Sequence, residues 1–462
     1  MRRTVCFLGL FTLLLTLSAN AQENYMEKAN QYYSMLNYEQ AFEYYFLELE
    51  TNPNQYNRIK GRLQTLLLYD VNKSIADEMR IALLKKTQEK PDNEYFARLL
   101  MWFALQQEDY DIALEQCKSL DRRFNDQDAQ LITIAHICFD NGQYELAKEA
   151  FEYIVSKGKI NPYFGDAMVG AIKTENQLYQ KNHVEDKASY ERLSQRIESA
   201  YSEIGSKEYP NLAEIQADIM AYHLDKPQDA VTLLLKVISQ TNDKAQQSRL
   251  KLKLADIYLY TNEVWEATLL YSQVDKSMKE EPLGHEARYR NAQLRYFIGE
   301  FAWAETQLHV LKAATSKLVA NDAMSLSLII SDNLEADTSG RELKRIARAD
   351  YKIYQHKDNE ALPILDSICQ DGNEISKPHA LYRLAELKEK QQLYAEADQL
   401  FLQIVSEFPD SYMADDALMR AALIEDQQLH DKEAAQQHYE QLIDTFPTSL
   451  YTAQAKKNYR KL

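Results

Sequence analysis

SEFPDSYMADDAL occupies residues 406–418, and a similar stretch, DTFPTSLYTAQA, occupies residues 444–455. Each contains an aromatic-proline pair followed by a polar residue and a serine, and the two pairs are 38 residues apart. Proline has no backbone N–H to donate and disfavours helical geometry in the residue before it, so each pair predicts the end of a helix. Serine is a preferred helix N-cap. We therefore expect Ser411 to cap the next helix and Tyr412 to enter the core.

The rest of the chain has the pattern of short amphipathic helices. Only 11 Gly and 10 Pro occur among 462 residues, and no stretch alternates apolar and polar residues between turn signals, as strands would. Instead, segments of about a dozen residues, rich in Ala, Leu, Tyr, Glu, Lys and Gln, have apolar positions three and four apart. The sequence therefore predicts an all-α fold.

An alanine recurs at a nearly fixed interval along these segments, which is the signature of a repeat array. Seven of the nine intervals between successive alanines are 34 to 38 residues long, and the other two are 83 and 57. The longer intervals leave room for two degenerate units and for one unit plus an extra helix at residues 319–331. The ten alanines are Ala41, Ala76, Ala113, Ala147, Ala230, Ala267, Ala304, Ala361, Ala397 and Ala435.

Residues 378–411 show the repeat unit most completely. Two small residues, Ala385 on the first helix and Ala397 on the second, allow the two backbones to approach closely. The space beside them is filled by Leu384, Tyr394, Phe401 and Ile404. This unit resembles the tetratricopeptide repeat. The resemblance implies a right-handed α-solenoid of tetratricopeptide helical hairpins, with a concave face suited to extended contacts with other proteins.

The last two units resemble the C-terminal repeats of two kinds of envelope protein. These are the periplasmic coordinator associated with the Tol-Pal system and the lipoprotein subunit of the outer-membrane barrel assembly machinery. The shared features are EFPDS and TFPTS, the aromatic residue after each, and a final charged helix, TAQAKKNYRKL, that would cap the solenoid. The barrel-assembly subunit is lipid-anchored and this chain has no lipobox, so membership of either complex is not implied.

The N-terminus, MRRTVCFLGLFTLLLTLSANAQEN, reads as a secretory signal peptide. Two arginines precede an apolar run too short for a membrane span, and Ala19-Asn20-Ala21 offers a cleavage site. Cys6 precedes the apolar run, so no lipidation is expected and the mature chain should be soluble and periplasmic. The predicted organisation is a signal peptide (1–21), an N-terminal array (22–172), a degenerate helical segment (173–211), a central array with an extra helix (212–376) and a C-terminal repeat pair with a capping helix (377–462).

Charge and cysteine content exclude several classes of partner and linkage. The formal net charge is −17, and removal of two arginines with residues 1–21 makes it 51 − 70 = −19. Such a field repels nucleic acid and anionic lipid surfaces. Three cysteines remain, Cys117, Cys138 and Cys369, and an odd number cannot form a complete disulfide framework. We expect three buried thiols, with a Cys117–Cys138 bridge as the alternative.

The sequence contains no motif for catalysis, a metal or a cofactor. HExxH, C-x-x-C, G-x-S-x-G and phosphate-loop patterns are all missing. We therefore expect a non-catalytic scaffold or adaptor that binds a protein or peptide partner in the cell envelope. The alternative is a soluble periplasmic carrier that presents a glycan or peptide ligand to an outer-membrane machine.

A candidate binding face follows from the helical period. Residues three before, one after and four after the packing residue of a first helix share a stripe that faces away from the second helix. The alternative is that these side chains pack against the adjacent repeat. The stripe residues are Arg98, Trp102, Leu105, Ile132, His136, Phe139, Tyr289, Gln293, Tyr296, Tyr382, Glu386 and Glu389.

Overall fold

The computed structural model describes residues 24–70, 73–125, 128–184, 186–204, 209–313 and 317–462. The expected signal peptide, residues 1–21, lies outside them. Every regular element in these ranges is helical, so the fold is all-α, as the sequence predicts. The chain divides into two compact units between Lys181 and Asn182, within the segment predicted to be degenerate.

The first unit consists of nine α-helices in the described ranges, paired as successive hairpins. A short 3₁₀ turn, Pro53–Gln55, precedes the third helix. The helices are α1 (Tyr25–Ser34), α2 (Tyr38–Thr51), α3 (Tyr56–Leu68), α4 (Ser74–Glu89), α5 (Glu94–Gln106), α6 (Tyr110–Phe124), α7 (Asp128–Asp140), α8 (Tyr144–Ser156) and α9 (Phe164–Lys181).

The second unit continues the pattern with fifteen described α-helices. Two of them end in a single turn of π-helix, Ile219–His223 after α11 and Glu425–Leu429 after α22. The helices are α10 (Lys187–Tyr201), α11 (Tyr209–Asp218), α12 (Pro227–Gln240), α13 (Lys244–Tyr260), α14 (Val264–Ser277), α15 (Pro282–Phe297), α16 (Phe301–Ala313), α17 (Lys317–Ala336), α18 (Arg341–Tyr354), α19 (Asp358–Asp371), α20 (Ser376–Lys390), α21 (Tyr394–Glu407), α22 (Ala414–Ile424), α23 (Lys432–Thr445) and α24 (Thr452–Tyr459).

The recurring alanines lie where helices cross. All ten are buried, and each lies on the second helix of its hairpin, for example Ala41 on α2 and Ala397 on α21. A small side chain at this position lets the two helix axes approach, and the larger apolar residues around it fill the core. The alanine period is therefore the period of an all-α repeat solenoid.

The turn between the two helices of a hairpin has a recurring backbone conformation. In the nine hairpins for which this position lies in the described ranges, the residue five positions before the alanine has a left-handed backbone conformation. Glycine occupies this position only at Gly142 and Gly299, and ordinary residues such as Leu36 and Gln392 adopt it elsewhere. Left-handed geometry disfavours residues with a Cβ atom, so packing of the flanking helices must hold these turns.

Helix α17 interrupts the regular succession of hairpins. It packs against α16 and occupies the interval for which the sequence predicts an extra helix. The following helix, α18, contacts the C-terminal end of α13. The Tyr351 hydroxyl donates to the Leu259 carbonyl at 2.9 Å, and the Gln355 amide donates to the Tyr260 carbonyl at 3.0 Å. These contacts link residues more than 90 positions apart, unlike the neighbour-to-neighbour contacts of an ideal solenoid.

Both expectations for the turn after Pro409 are wrong. Helix α22 begins at Ala414, and the Ser411 hydroxyl accepts a hydrogen bond from the Met413 N–H rather than capping the helix. Met413 packs against the core, whereas Tyr412 is 41% exposed. Two residues, Tyr412 and Met413, therefore separate Ser411 from the first residue of α22, and Met413 takes the inward position expected of Tyr412.

The three described cysteines are free thiols, so the Cys117–Cys138 bridge is not formed. Cys117 and Cys138 are both buried in one apolar cluster of the first unit. Burial raises the pKa of Cys138 to about 11, which keeps it protonated and unreactive at neutral pH. Cys369 is only partly buried, contrary to the expectation of three fully buried thiols.

Candidate functional site

Four of the predicted stripe residues line one open groove in the second unit. They are Tyr289, Gln293 and Tyr296 on α15 and Glu386 on α20. The groove encloses about 800 Å³ of space open to solvent, and we call it the α15–α20 groove. The other lining residues are Phe297 on α15, Asp322, Ser325, Leu326 and Ile329 on α17, Asp350, Ile353 and Tyr354 on α18, and Arg383 on α20.

Helix α15 aims its stripe into the groove because Ala292 is buried at the helix crossing. Tyr289 and Gln293 lie three before and one after this alanine, on a different side of the helix from the hairpin contact. Within the described ranges, neither the Tyr289 hydroxyl nor the Gln293 amide has a hydrogen-bond partner. Burial raises the pKa of Tyr289 to about 12, so its hydroxyl remains a neutral donor.

A buried carboxylate, Asp350, holds three helices together beneath the groove. The Tyr296 hydroxyl donates to it at 2.8 Å, and Arg383 Nε donates to it at 2.9 Å. His379 Nε2 lies 3.3 Å from the same carboxylate. Tyr296 is on α15, Asp350 on α18, and Arg383 and His379 on α20, so the network fixes the relative positions of three groove helices.

The charges of this network stabilise one another. Burial alone would raise the pKa of Asp350, but Arg383 and His379 hold that pKa well below its ordinary value. Burial would likewise lower the pKa of Arg383, yet Asp350 and Glu386 raise it above its ordinary value. Arg383 also donates to Glu386 at 2.7 Å. Arg383 and Asp350 therefore remain charged. Glu386, the second acidic partner of Arg383, lines the groove.

The two remaining stripe residues of α20 contact the next hairpin. The Tyr382 side chain is buried and its hydroxyl donates to Asp416 at 2.8 Å. Glu389 accepts a hydrogen bond from Arg420. Both bonds join α20 to α22, so these residues serve repeat-to-repeat packing.

The first-unit stripe residues are held by their own hairpins and neighbours. Trp102 and Ile132 are buried in two apolar clusters, and Leu105 packs partly buried against one of them. Arg98 Nε donates to Glu94 at 2.8 Å. His136 Nε2 lies 3.1 Å from Asp166, and the Lys173 ammonium lies 4.5 Å from the centre of the Phe139 ring. In this unit Trp102 and Ile132 pack in the core, whereas Arg98 and His136 stay partly exposed beside their acidic partners.

The stripe rule missed the half of the groove that α17 and α18 supply. Helix α17 lies outside the alanine period, so the rule gave it no packing residue. On α18 a signal was present in the sequence. Leu343, Ile346 and Asp350 lie on one face, at spacings of three and four. A carboxylate in an apolar stripe is buried at high cost unless a cation meets it, so Asp350 indicated a charged partner on another helix.

Two further properties of the described side chains and helices bear on the site. Among the side chains for which positions are given, no group of three or more His, Cys, Asp or Glu is arranged to hold a metal ion. Of the helices α1–α24, none has a stretch both long enough and apolar enough to cross a lipid bilayer.

Comparison with known proteins identifies the C-terminal hairpins. Residues 379–411 and 416–449 match the sequence model of the tetratricopeptide repeat. The hairpins α20–α21 and α22–α23 are therefore tetratricopeptide repeats. No curated protein matches the chain in sequence.

Several solved structures are similar to this chain at low identity. A tetratricopeptide repeat protein from Parabacteroides merdae shares 12% identity, with 64% of this chain and 98% of that chain covered and a TM-score of 0.31. The C-terminal part of a repeat-containing protein from Cytophaga hutchinsonii shares 14% identity, with 62% and 99% covered and a TM-score of 0.30. The Naa15/Naa10 complex bound to HypK-THB shares 12%, with 95% and 66% covered and a TM-score of 0.33.

Proposed function

We propose that this protein is an exported, non-catalytic scaffold or adaptor that binds envelope proteins through the α15–α20 groove. The observation that carries the proposal is the groove itself, where four stripe residues meet and two of them, Tyr289 and Gln293, have side-chain polar groups with no hydrogen-bond partner among the described residues. Tetratricopeptide repeats at residues 379–449 support a role in protein interaction. Export to the periplasm is supported by the signal-like sequence of residues 1–21.

The chemistry of the groove favours a polypeptide segment as its occupant. Ile353 and Tyr354, which line the groove and are partly exposed, offer apolar surface to a partner's side chains. Between them, Gln293 and Tyr289 offer an amide and a hydroxyl that can bond a partner's backbone. Aromatic anchors flanked by polar groups are typical of binding faces. Because the Asp350 network fixes the surrounding helices, little ordering entropy is lost when a segment binds.

Site-specific cross-linking tests this proposal. A benzophenone amino acid replaces Gln293 in one variant and Trp265 in a matched control, since Trp265 is 75% exposed on α14 and does not line the groove. We expect one envelope protein to be cross-linked from position 293 and not from position 265, with identification by mass spectrometry. Equal labelling from both positions, or none from position 293, would contradict the proposal.

The carrier alternative gives a different result in the same preparation. If the protein carries a glycan or peptide, added oligosaccharide or peptide raises the melting temperature and no partner co-purifies in stoichiometric amount. Binding of a ligand to the folded state raises stability by mass action, so the shift should grow with ligand concentration. A stoichiometric partner without a ligand-dependent shift supports the scaffold.

A further inference from the structure

A second cavity surrounds Tyr412, which the sequence assigns to the core. It encloses about 840 Å³ of space open to solvent, and we call it the Tyr412 cavity. Its apolar lining consists of Ile375, Pro378, Phe408, Pro409 and Tyr412. Ile375 and Tyr412 are both exposed large side chains, so an aromatic ring and an aliphatic chain are available to a ligand.

The rest of the lining is almost entirely acidic. Four carboxylates line the cavity, and no Lys, Arg or His is among its lining residues. Within the described part of the chain, none of the four forms a salt bridge. The four are Asp332, Glu374, Glu407 and Asp410. Four carboxylates that form no salt bridge among the described residues, beside an aromatic ring, make a site of negative potential.

Tyr412 links this cavity to the α15–α20 groove. Removal of water from its hydroxyl is the main cause of its raised pKa, and Asp332 and Asp350 add to the effect while Arg383 opposes it. Asp332 lines the Tyr412 cavity, whereas Asp350 and Arg383 line the groove. The same two helices, α17 and α20, line both depressions, so one extended partner segment can reach both.

The second copy of the turn shows that this composition is not required for folding. In both copies the serine N–H bonds to the phenylalanine carbonyl at 3.0 Å, and the serine hydroxyl accepts from the residue two positions on. The second turn lies 38 residues further along the chain. Its residues at the positions equivalent to Glu407, Asp410 and Tyr412 are Thr445, Thr448 and Leu450. The acidic and aromatic residues are thus additions to a turn that forms without them.

We propose that the Tyr412 cavity binds a cationic side chain, arginine or lysine, from a basic segment of the partner protein. This inference rests on the proposed function, since it gives the chemistry of the segment that the groove receives. A cation over the Tyr412 ring gains a cation–π interaction, and carboxylates form charge-assisted hydrogen bonds with its N–H groups. Arginine suits the cavity better than lysine, because its planar guanidinium can stack and bond two carboxylates together.

The test uses a fluorescein-labelled peptide of four Arg-Gly pairs, titrated with the purified protein and followed by fluorescence anisotropy. The variant Glu407→Thr, Asp410→Thr carries the residues of the second turn, so its fold is not in question. The control Glu440→Gln, Asp444→Asn removes the same charge from exposed positions near the end of α23. We expect the first variant to weaken binding about tenfold and the control to change it less than about twofold, because exposed distant charges are screened.

A second pair of variants separates the ring from the charge. Tyr412→Ala should weaken binding of the Arg-Gly peptide about three- to tenfold through loss of the cation–π contact. Leu450→Ala, at the equivalent and 88% exposed position of the second turn, should leave it unchanged. A Glu-Gly peptide of the same length should not bind.

The outcomes distinguish this inference from the proposed function. If the Arg-Gly peptide fails to bind, or binds equally to both double variants, the inference is wrong, whatever position 293 cross-links. If the peptide binds as expected but position 293 cross-links no partner, the cavity stands and the groove proposal fails.

Discussion

Each unit contains a buried aspartate that accepts a hydrogen bond from a tyrosine and pairs with a cation, but the two aspartates connect different sets of helices. Asp121 accepts a hydrogen bond from the Tyr153 hydroxyl at 3.0 Å and pairs with Lys157 at 2.9 Å. Asp350 likewise has a tyrosine and a cation as partners. The partners of Asp121 come from the adjacent hairpin, on or just after α8, so the network joins neighbouring hairpins.

The partners of Asp350 come from farther along the chain. Tyr296 precedes it by 54 residues and Arg383 follows it by 33, with α17 between Tyr296 and Asp350. The insertion of α17 thus coincides with a network that spans α15, α18 and α20 and borders an open groove. In the first unit the buried ion pair joins two neighbouring hairpins, and in the second unit the buried ion pair supports the helices that line a groove.

Removing either carboxylate should give the largest effect. Asp121→Ala and Asp350→Ala each remove the buried partner of a partly buried cation and leave it only a more exposed carboxylate. The loss should approach the cost of breaking a buried ion pair, about 3–5 kcal/mol in unfolding free energy. Urea unfolding followed by circular dichroism measures the loss. The exposed control Asp444→Ala should change stability by less than about 0.5 kcal/mol. If Asp350→Ala is as mild as the control, the network does not hold the groove.

Overpacking a helix crossing should have a smaller effect in either unit. Ala397→Leu places a large side chain at a fully buried position and should cost about 1–3 kcal/mol. Ala395→Leu, two residues earlier on the exposed side of α21, is the matched control and should leave the melting temperature nearly unchanged. Similar melting curves for the two variants would mean that the repeat register is wrong.

The smallest effect should come from two histidine–carboxylate pairs, again one in each unit. Hydrogen bonds that His438 donates to Glu425 and His136 donates to Asp166 raise the pKa of each histidine. A raised folded pKa means that the stabilisation is complete below the unfolded value of about 6.5 and is lost as pH rises through the folded pKa.

Melting curves between pH 6 and pH 9 test this pH dependence. Between these pH values the wild type should lose less than about 1 kcal/mol of stability from the His438 pair, and the variant His438→Gln should not show this loss. The contribution is measurable because Glu425 is nearly inaccessible to solvent. His136→Gln should remove a smaller loss, since both members of its pair are about half exposed. A larger effect at His136 than at His438 would reverse this ranking and contradict it.

The repeat architecture was predictable because it depends on local, periodic requirements. A helix crossing needs a small residue once per hairpin, so the ten alanines were found from the sequence and all are buried. The expectation of a helix at residues 319–331 is confirmed by α17, since helix length and periodicity are also local properties.

The groove could be predicted only in part, because half of it depends on contacts with no local signal. The stripe on α15 follows from the helical period, but the return of Tyr351 to α13 joins residues 92 positions apart. The position of Tyr412 also escaped the pattern. Two residues, Tyr412 and Met413, lie between the serine and α22. Both are apolar enough for the core, so the sequence pattern does not decide which of them faces inward.

The most direct test of the account compares two double variants in capture of the cross-linked partner. Tyr289→Phe, Gln293→Ala removes the unbonded polar groups of the groove in the second unit while keeping the ring that packs on the core, and Trp102→Ala, Phe139→Ala alters the stripe of the first. We expect the groove variant to lose partner capture with a melting temperature near that of the wild type. The first-unit variant should melt early, because Trp102 is buried and its truncation costs about 3–5 kcal/mol, yet retain capture below its melting temperature. Loss of capture in the first-unit variant, with capture intact in the groove variant, would contradict the account.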